Sequence, residues 1–219
     1  MIHSFADKHR LHDPVWHVQL AMLIAIGLQL ALPDTFSLAH YLIPPLELAL
    51  LVSLAFTTPR KREFKSRARR FNVVALIALA SLANAFSLGV IINKLLTDSS
   101  VFDGRALILS AINIFATNII IFALWYWEMD GGGPGERHAI EKYDQDFVFP
   151  QHRHEGYRHP DWKPTFIDYF YTSATNAMNF APSDATPLSR RAKMLMLTQA
   201  VISGVTVALV ISRAVGILN

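Results

Sequence analysis

None of the 219 residues is a cysteine, which excludes disulfides, thiolate metal sites and cysteine nucleophiles. Charge is scarce as well: Asp, Glu, Lys and Arg make up 17% of the chain, against about 25% in a typical soluble domain. No Ser/His/Asp arrangement and no zinc-protease spacing appears, which points away from an enzyme, and no cofactor is implied. The glycine run Gly131-Gly132-Gly133-Pro134-Gly135 reads as a helix stop followed by flexible backbone; it lacks the Lys-Ser/Thr of a phosphate-binding loop, and no strand precedes it. The formal charge of +3 comes from basic residues gathered in one place, a pattern that reports membrane topology rather than nucleic acid.

What is abundant is apolar. Hydrophobic residues make up 52% of the chain and cluster into runs. A run of about 17 to 25 apolar residues suits a helix crossing a bilayer. Five are present: Val15 to Leu32, Leu38 to Thr57, Val73 to Leu96, Ala106 to Trp127 and Met194 to Ile217. The expected fold is an all-α integral membrane bundle of five spans, with a short re-entrant or interfacial helix before the last one. Its segments are a polar stretch over 1–14, four helices within 15–127, a Gly/His-rich loop over 128–164, and a short helix, turn and final span over 165–219. Met1 to Pro14 mixes acids with bases, unlike a basic signal leader. Ser37-Leu38-Ala39 imitates a cleavage site, but the first run is read as a retained helix.

Between the second and third runs, Arg60, Lys61, Arg62, Lys65, Arg67, Arg69 and Arg70 face one acid, Glu63. By the positive-inside rule this loop is cytoplasmic, and counting along the chain puts the N-terminus and the 128–164 loop inside as well. Arg190, Arg191 and Lys193 at the start of the last run agree. The pattern fits a bacterial inner membrane. Trp16, Trp125, Trp127 and Trp162 fall at run ends or in the adjoining loop, as interfacial anchors do.

Within the runs, Ala200, Gly204, Ala208, Ser212 and Gly216 recur every four residues and form a small-residue stripe on the last helix. Such stripes drive close helix packing in lipid, inside one subunit or between copies. Ser81, Ala85 and Gly89 make a shorter stripe, and Ser110, Asn113 and Thr117 line one face of the fourth helix. Glu47 lies near the centre of the second run, one turn past Pro44-Pro45, with His40 on roughly the same face. A carboxylate at that depth costs on the order of 2.5 to 3.5 kcal/mol and requires a partner or water. It is either a proton or cation site or a bonded structural acid. In the long loop, His152, His154 and His159 offer imidazoles that could share a metal if the segment is extended; the bland alternative is a solvated polar loop.

The chain from Phe166 onward has its own order: a Thr/aromatic segment to Thr175, a polar turn from Asn176 to Asp184, then the basic patch and the last run. Asp168-Tyr169-Phe170-Tyr171-Thr172-Ser173-Ala174-Thr175, with Phe180, Asp184 and Thr186-Pro187-Leu188, resembles the pore module of two-helix potassium channels. With Thr175-Asn176 and Phe180-Ala181-Pro182-Ser183-Asp184, the segment from about Trp127 also resembles an uncharacterised group of bacterial membrane proteins. The first resemblance implies a pore helix, a filter turn and an inner helix; the second implies a family without a function. No glycine lies between Thr175 and Asp184, whereas a potassium filter needs glycines to aim successive carbonyls at the ion. Potassium selectivity is therefore not expected. The charge pattern also brings the loop in from the cytoplasm, the sense of ionotropic glutamate receptors.

These observations lead to an expected oligomeric pore of weak cation selectivity, with Thr175, Asn176, Asn179, Phe180 and Asp184 at its constriction. Its expected partners are the lipid bilayer, further copies of the chain and an inorganic cation. A structural alternative has Asp184 or Ser189 capping the last helix while the basic residues sit at headgroups. Two functional alternatives remain open: a membrane-anchored scaffold whose His-rich loop binds a metal, lipid or partner, and a proton-coupled carrier centred on Glu47.

Overall fold

The computed structural model describes residues 15–30, 45, 46, 48, 49, 52, 67–97, 104–139, 145–153, 162–181 and 185–218. Its elements are α1 (Val15–Leu30), α2 (Arg67–Thr97), α3 (Gly104–Met129), a 3-10 turn (Asp130–Gly132), α4 (Pro134–Ala139), β1 (Phe147–Val148), α5 (Pro150–Arg153), α6 (Phe166–Asn179), β2 (Thr186–Pro187) and α7 (Arg190–Leu218). Three stretches are long and apolar enough to cross a membrane: Arg70–Asn93, Ala106–Gly132 and Arg190–Ser212. At about 1.5 Å per residue they run about 35 to 40 Å, beyond the roughly 30 Å hydrocarbon core. These are the third, fourth and last of the expected runs. The first run forms α1, which at 16 residues is shorter. Most of the second run, with His40 and Glu47, lies outside the described residues, although 45, 46, 48, 49 and 52 are helical.

Helix α3 is the centre of the bundle and packs against α1, α2, α6 and α7. Ile114, Ile121, Ala123, Leu124, Tyr126 and Trp127 along it are almost fully buried. The Trp125 indole donates to the Ser81 hydroxyl (2.9 Å), while Leu88 and Ile91 cluster with Leu107 and Ile114, so α2 and α3 run antiparallel. Tyr126 meets Gln199 and Asn118 meets Ser203, which sets α3 and α7 antiparallel too. On α1, the Leu28 carbonyl is one of the last four that the helix cannot bond internally; Asn113 donates to it (2.6 Å). The starts of α2 and α7 and the end of α3 thus lie at one end of the bundle.

Beside the apolar core, large apolar side chains also face outward and several polar ones face inward. Leu23, Leu82, Leu109, Ile112, Leu197 and Val201 are exposed, whereas Asn84, Thr117, Asn118, Gln199, Ser203 and Thr206 are buried. Lipid is as apolar as leucine, so buried polar contacts take over the role of holding helices together. This mix suits a helical protein whose long helices are apolar enough to cross a membrane.

At the end of α3 the glycine run forms a defined turn, where the sequence suggested flexible backbone. Gly131, Gly132 and Gly133 all have positive φ (59, 81 and 98°), a region that side chains disfavour. The turn buries Asp130 completely and redirects the chain into α4. The loop expected over 128–164 therefore carries local structure: α4, α5 and the strand β1, which pairs antiparallel with β2 (Phe147↔Pro187, Val148↔Thr186).

Gly133 has φ 98° and ψ 172°, and a Cβ there would stand 3.1 Å from the Glu128 carbonyl oxygen. Gly133→Ala should lower unfolding stability by about 1 to 3 kcal/mol, measured by denaturation in detergent. Gly89→Ala, where a Cβ meets nothing within 4 Å, should be neutral or stabilising by up to about 1 kcal/mol.

Candidate functional site

Helix α6 has 14 residues, about 21 Å of length, and cannot cross a bilayer core. Its start is fixed locally. The Asp168 carboxylate accepts from the Thr165 backbone N–H (2.7 Å) and the Thr165 hydroxyl (2.9 Å), and its charge suits the positive end of the helix. Phe166, Tyr169, Thr172, Ser173, Asn176 and Ala177 form its buried face, a helical spacing. Ile167, Phe170, Tyr171 and Met178 form the exposed one.

Two sets of polar contacts hold the buried face. At the base, the Tyr169 hydroxyl donates to the Asp130 carboxylate. The other Asp130 oxygen accepts from the Asp146 and Phe147 N–H groups (2.7 and 3.2 Å). The fully buried Arg137 donates Nη1 to the Trp127 and Asp130 carbonyls (both 2.8 Å), satisfying the end of α3. Its guanidinium lies 5.0 Å over the Tyr169 ring, and Lys163 Nζ donates to the Arg137 carbonyl (2.6 Å). Asp130 therefore joins α3, β1 and α6 at a single carboxylate.

Higher along α6, the Gln199 amide of α7 is saturated. Its Oε1 accepts from the Tyr126 hydroxyl (2.5 Å) and Asn176 Nδ2 (2.9 Å). Its Nε2 donates to the Ser173 carbonyl (2.9 Å) and hydroxyl (2.7 Å). Ser173 Oγ in turn donates to the Ile119 carbonyl (2.7 Å), and Asn176 also donates to the Met196 carbonyl (3.0 Å). Gln199 and Ser173 are fully buried and Asn176 nearly so. Three helices thus share one closed network, with Asn118 donating to Ser203 (3.0 Å) further along the same seam.

The far end of α6 is open. Phe180 closes the helix in the left-handed region (φ 55°, ψ 22°), which costs a side chain about 1 to 2 kcal/mol. A Cβ built on Gly204 would lie 3.6 Å from the Phe180 ring, so that ring reaches a point 14 positions into α7. Asn179, Phe180 and Ala181 are exposed. By Ala185 and β2 the chain is back at the Asp130 end, where Leu188 N–H donates to the Asp146 carbonyl (2.8 Å). Ser189 then caps α7, accepting from Ala192 N–H (3.1 Å), as the structural alternative anticipated for that serine.

The residues expected at a constriction are divided by this geometry. Asn179 and Phe180 share the exposed tip. Thr175 bonds back to the Tyr171 and Thr172 carbonyls (2.9 and 3.0 Å), and Asn176 turns inward as part of the network because it lies on the face packed against α7. Asp184 lies outside the described residues. In the expected α7 stripe, Ala200 and Gly204 are half-buried, Ala208 and Ser212 are exposed, and the Gly216 side is outside the described set. The face α7 turns inward is Ala192, Met196, Gln199, Ser203 and Thr206, one residue out of phase with that stripe. The polar repeat Gln199, Ser203, Thr206 in an apolar run was the signal for it.

His152 belongs to an aromatic cluster with Trp162 (5.0 Å) and Phe149 (6.3 Å), and its Nδ1 accepts from Phe149 N–H (3.4 Å). Burial pushes its pKa below the ordinary imidazole value, with the Asp130 charge opposing. His154 and His159 lie outside the described residues, and among the described residues no three His, Cys, Asp or Glu side chains are grouped to hold a metal.

No protein-family model matches the chain, and neither a curated protein nor a solved structure matches it. The class it can be assigned is the one its fold defines, a helical protein with membrane-length helices.

Gln199→Leu removes four hydrogen bonds at once and strands buried partners, so it should cost about 2 to 4 kcal/mol of unfolding stability. Thr198→Val, on the exposed side of the same turn, should stay within about 0.5 kcal/mol.

Proposed function

We propose that the chain is the subunit of an oligomeric ion-conducting pore of weak cation selectivity, with α6 as a re-entrant pore helix whose tip forms the constriction. The observation that carries this reading is the contact of Phe180 with Gly204. Fourteen residues of α7 amount to about 21 Å, well inside a hydrocarbon core of roughly 30 Å if α7 enters at Arg190. Exposed, non-helical backbone at such depth must be covered by protein or face water. A ring of copies around a water-filled axis provides both. The C-terminal end of α6 brings the negative end of the helix dipole there, which favours a cation. Asn179 adds a carbonyl oxygen and Phe180 an apolar wall.

The remaining parts of the reading follow from the same arrangement. Five spans require α1 and the run from Leu38 to Thr57 to cross as well; the helical residues 45, 46, 48, 49 and 52, with Leu46, Leu48 and Val52 exposed, support the second of these. Arg67, Arg69 and Arg70 begin α2 and Arg190, Arg191 and Lys193 begin α7 at one end of the bundle, which supports a bacterial inner membrane with that end and the N-terminus in the cytoplasm. The purified chain in lipid vesicles should carry potassium and sodium at similar rates and chloride far less. Asn179→Lys should cut cation flux about tenfold or more by placing a like charge at the constriction. An absence of ion flux at either polarity of applied voltage would rule the pore out.

A further inference from the structure

Phe180 is an aromatic side chain at a backbone position that suits glycine. It is the one non-glycine residue with positive φ among the described residues. The residue is 51% exposed, so packing inside the subunit covers only part of it. What the ring does touch is α7 at Gly204, where no side chain stands between it and the helix backbone. The strain is held from behind. Asn176 and Ser173, one and two turns upstream, are bonded to Gln199, Met196 and Ile119, so α6 is fixed up to one turn before Phe180. Strained backbone persists where surrounding structure over-determines it, and it concentrates at sites that function.

The neighbours of Phe180 at the tip are Met178, 62% exposed, and the exposed Asn179. An apolar ring beside a single polar carbonyl is the composition of a constriction that closes by excluding water rather than by plugging. We infer that Phe180 is the hydrophobic gate of the pore, the exposed sides of its rings from the assembled copies meeting at the axis in the resting state, each ring backed by the bare backbone at Gly204. This inference rests on the pore reading above and adds to it the residue that keeps the path shut.

The test uses the full-length chain in vesicles of phosphatidylcholine and phosphatidylglycerol, with potassium efflux recorded at rest and under applied voltage. Phe180→Gly should raise resting efflux by about tenfold or more, since dewetting needs the apolar rings. It should also leave the unfolding temperature unchanged or higher, since glycine adopts this φ freely. Phe180→Trp should keep resting efflux at the wild-type level. If wild type conducts under voltage but Phe180→Gly leaks no more than wild type at rest, the gate is overturned and the pore reading stands. A Phe180→Gly chain that unfolds at lower temperature contradicts the strain premise and overturns the gate as well. Silence from every variant at every voltage removes the pore and the gate together.

Discussion

In hydrocarbon, a short helix gains little from burying its apolar side, because the lipid it displaces is equally apolar. Helix α6 is held by polar bonds as well as apolar contacts, and the Gln199 amide is where those bonds converge. One side chain on α7 accepts from Tyr126 of α3 and Asn176 of α6 and donates twice to Ser173. Each of those groups would be costly if buried alone, and each is satisfied only when all three helices are in register. Asp130 repeats the device at the base of α6, joining Tyr169 to the start of β1. With both ends of its buried face tied, α6 has little freedom of depth or rotation.

That fixed depth gives the tip its character. The chain leaves α6 through a left-handed phenylalanine resting on Gly204 and rejoins the Asp130 end through the pairing of β2 with β1. A loop free to relax would carry glycine or asparagine at that φ. Here the network behind the tip supplies the constraint, so an aromatic can be kept where the sequence chemistry of turns would not put one. The link from Gln199 to Phe180 runs through one to two turns of helix, and it connects packing energy to the geometry on which conduction is proposed to depend.

Much of this was legible from residue order, and the exceptions have physical causes. The long apolar runs gave the third, fourth and last spans because length and hydropathy suffice for a membrane helix. From Phe166 onward the chain forms α6, β2 and α7, and Asn176 to Asn179, read as the start of a turn, still belong to α6. The side facing inward was harder to read. Asn176 looked like a filter residue and is a lock, because a polar side chain next to a turn gives no sign of which neighbour will bond it. On α7, small residues at 200, 204, 208 and 212 drew attention, while the inward face is the one carrying Gln199, Ser203 and Thr206. In lipid, burial follows polarity as much as size. The glycine run after Asp130 looked flexible; three consecutive positive φ angles and a carboxylate needing a closed environment make it a fixed turn. Glu47, His40, His154, His159 and Asp184 lie outside the described residues.

The absence of cysteine allows a single labelling site to be introduced at Asn179 with no background. The most direct measurement is the depth and water contact of that site in a bilayer, read by quenching of a fluorophore on Asn179→Cys with depth-positioned lipid quenchers and by its reaction with a membrane-impermeant thiol reagent. A position near the bilayer centre combined with rapid reaction is the predicted result. A label at headgroup depth, or one at the centre that the water-borne reagent never reaches, would contradict a re-entrant helix whose tip opens on an aqueous axis.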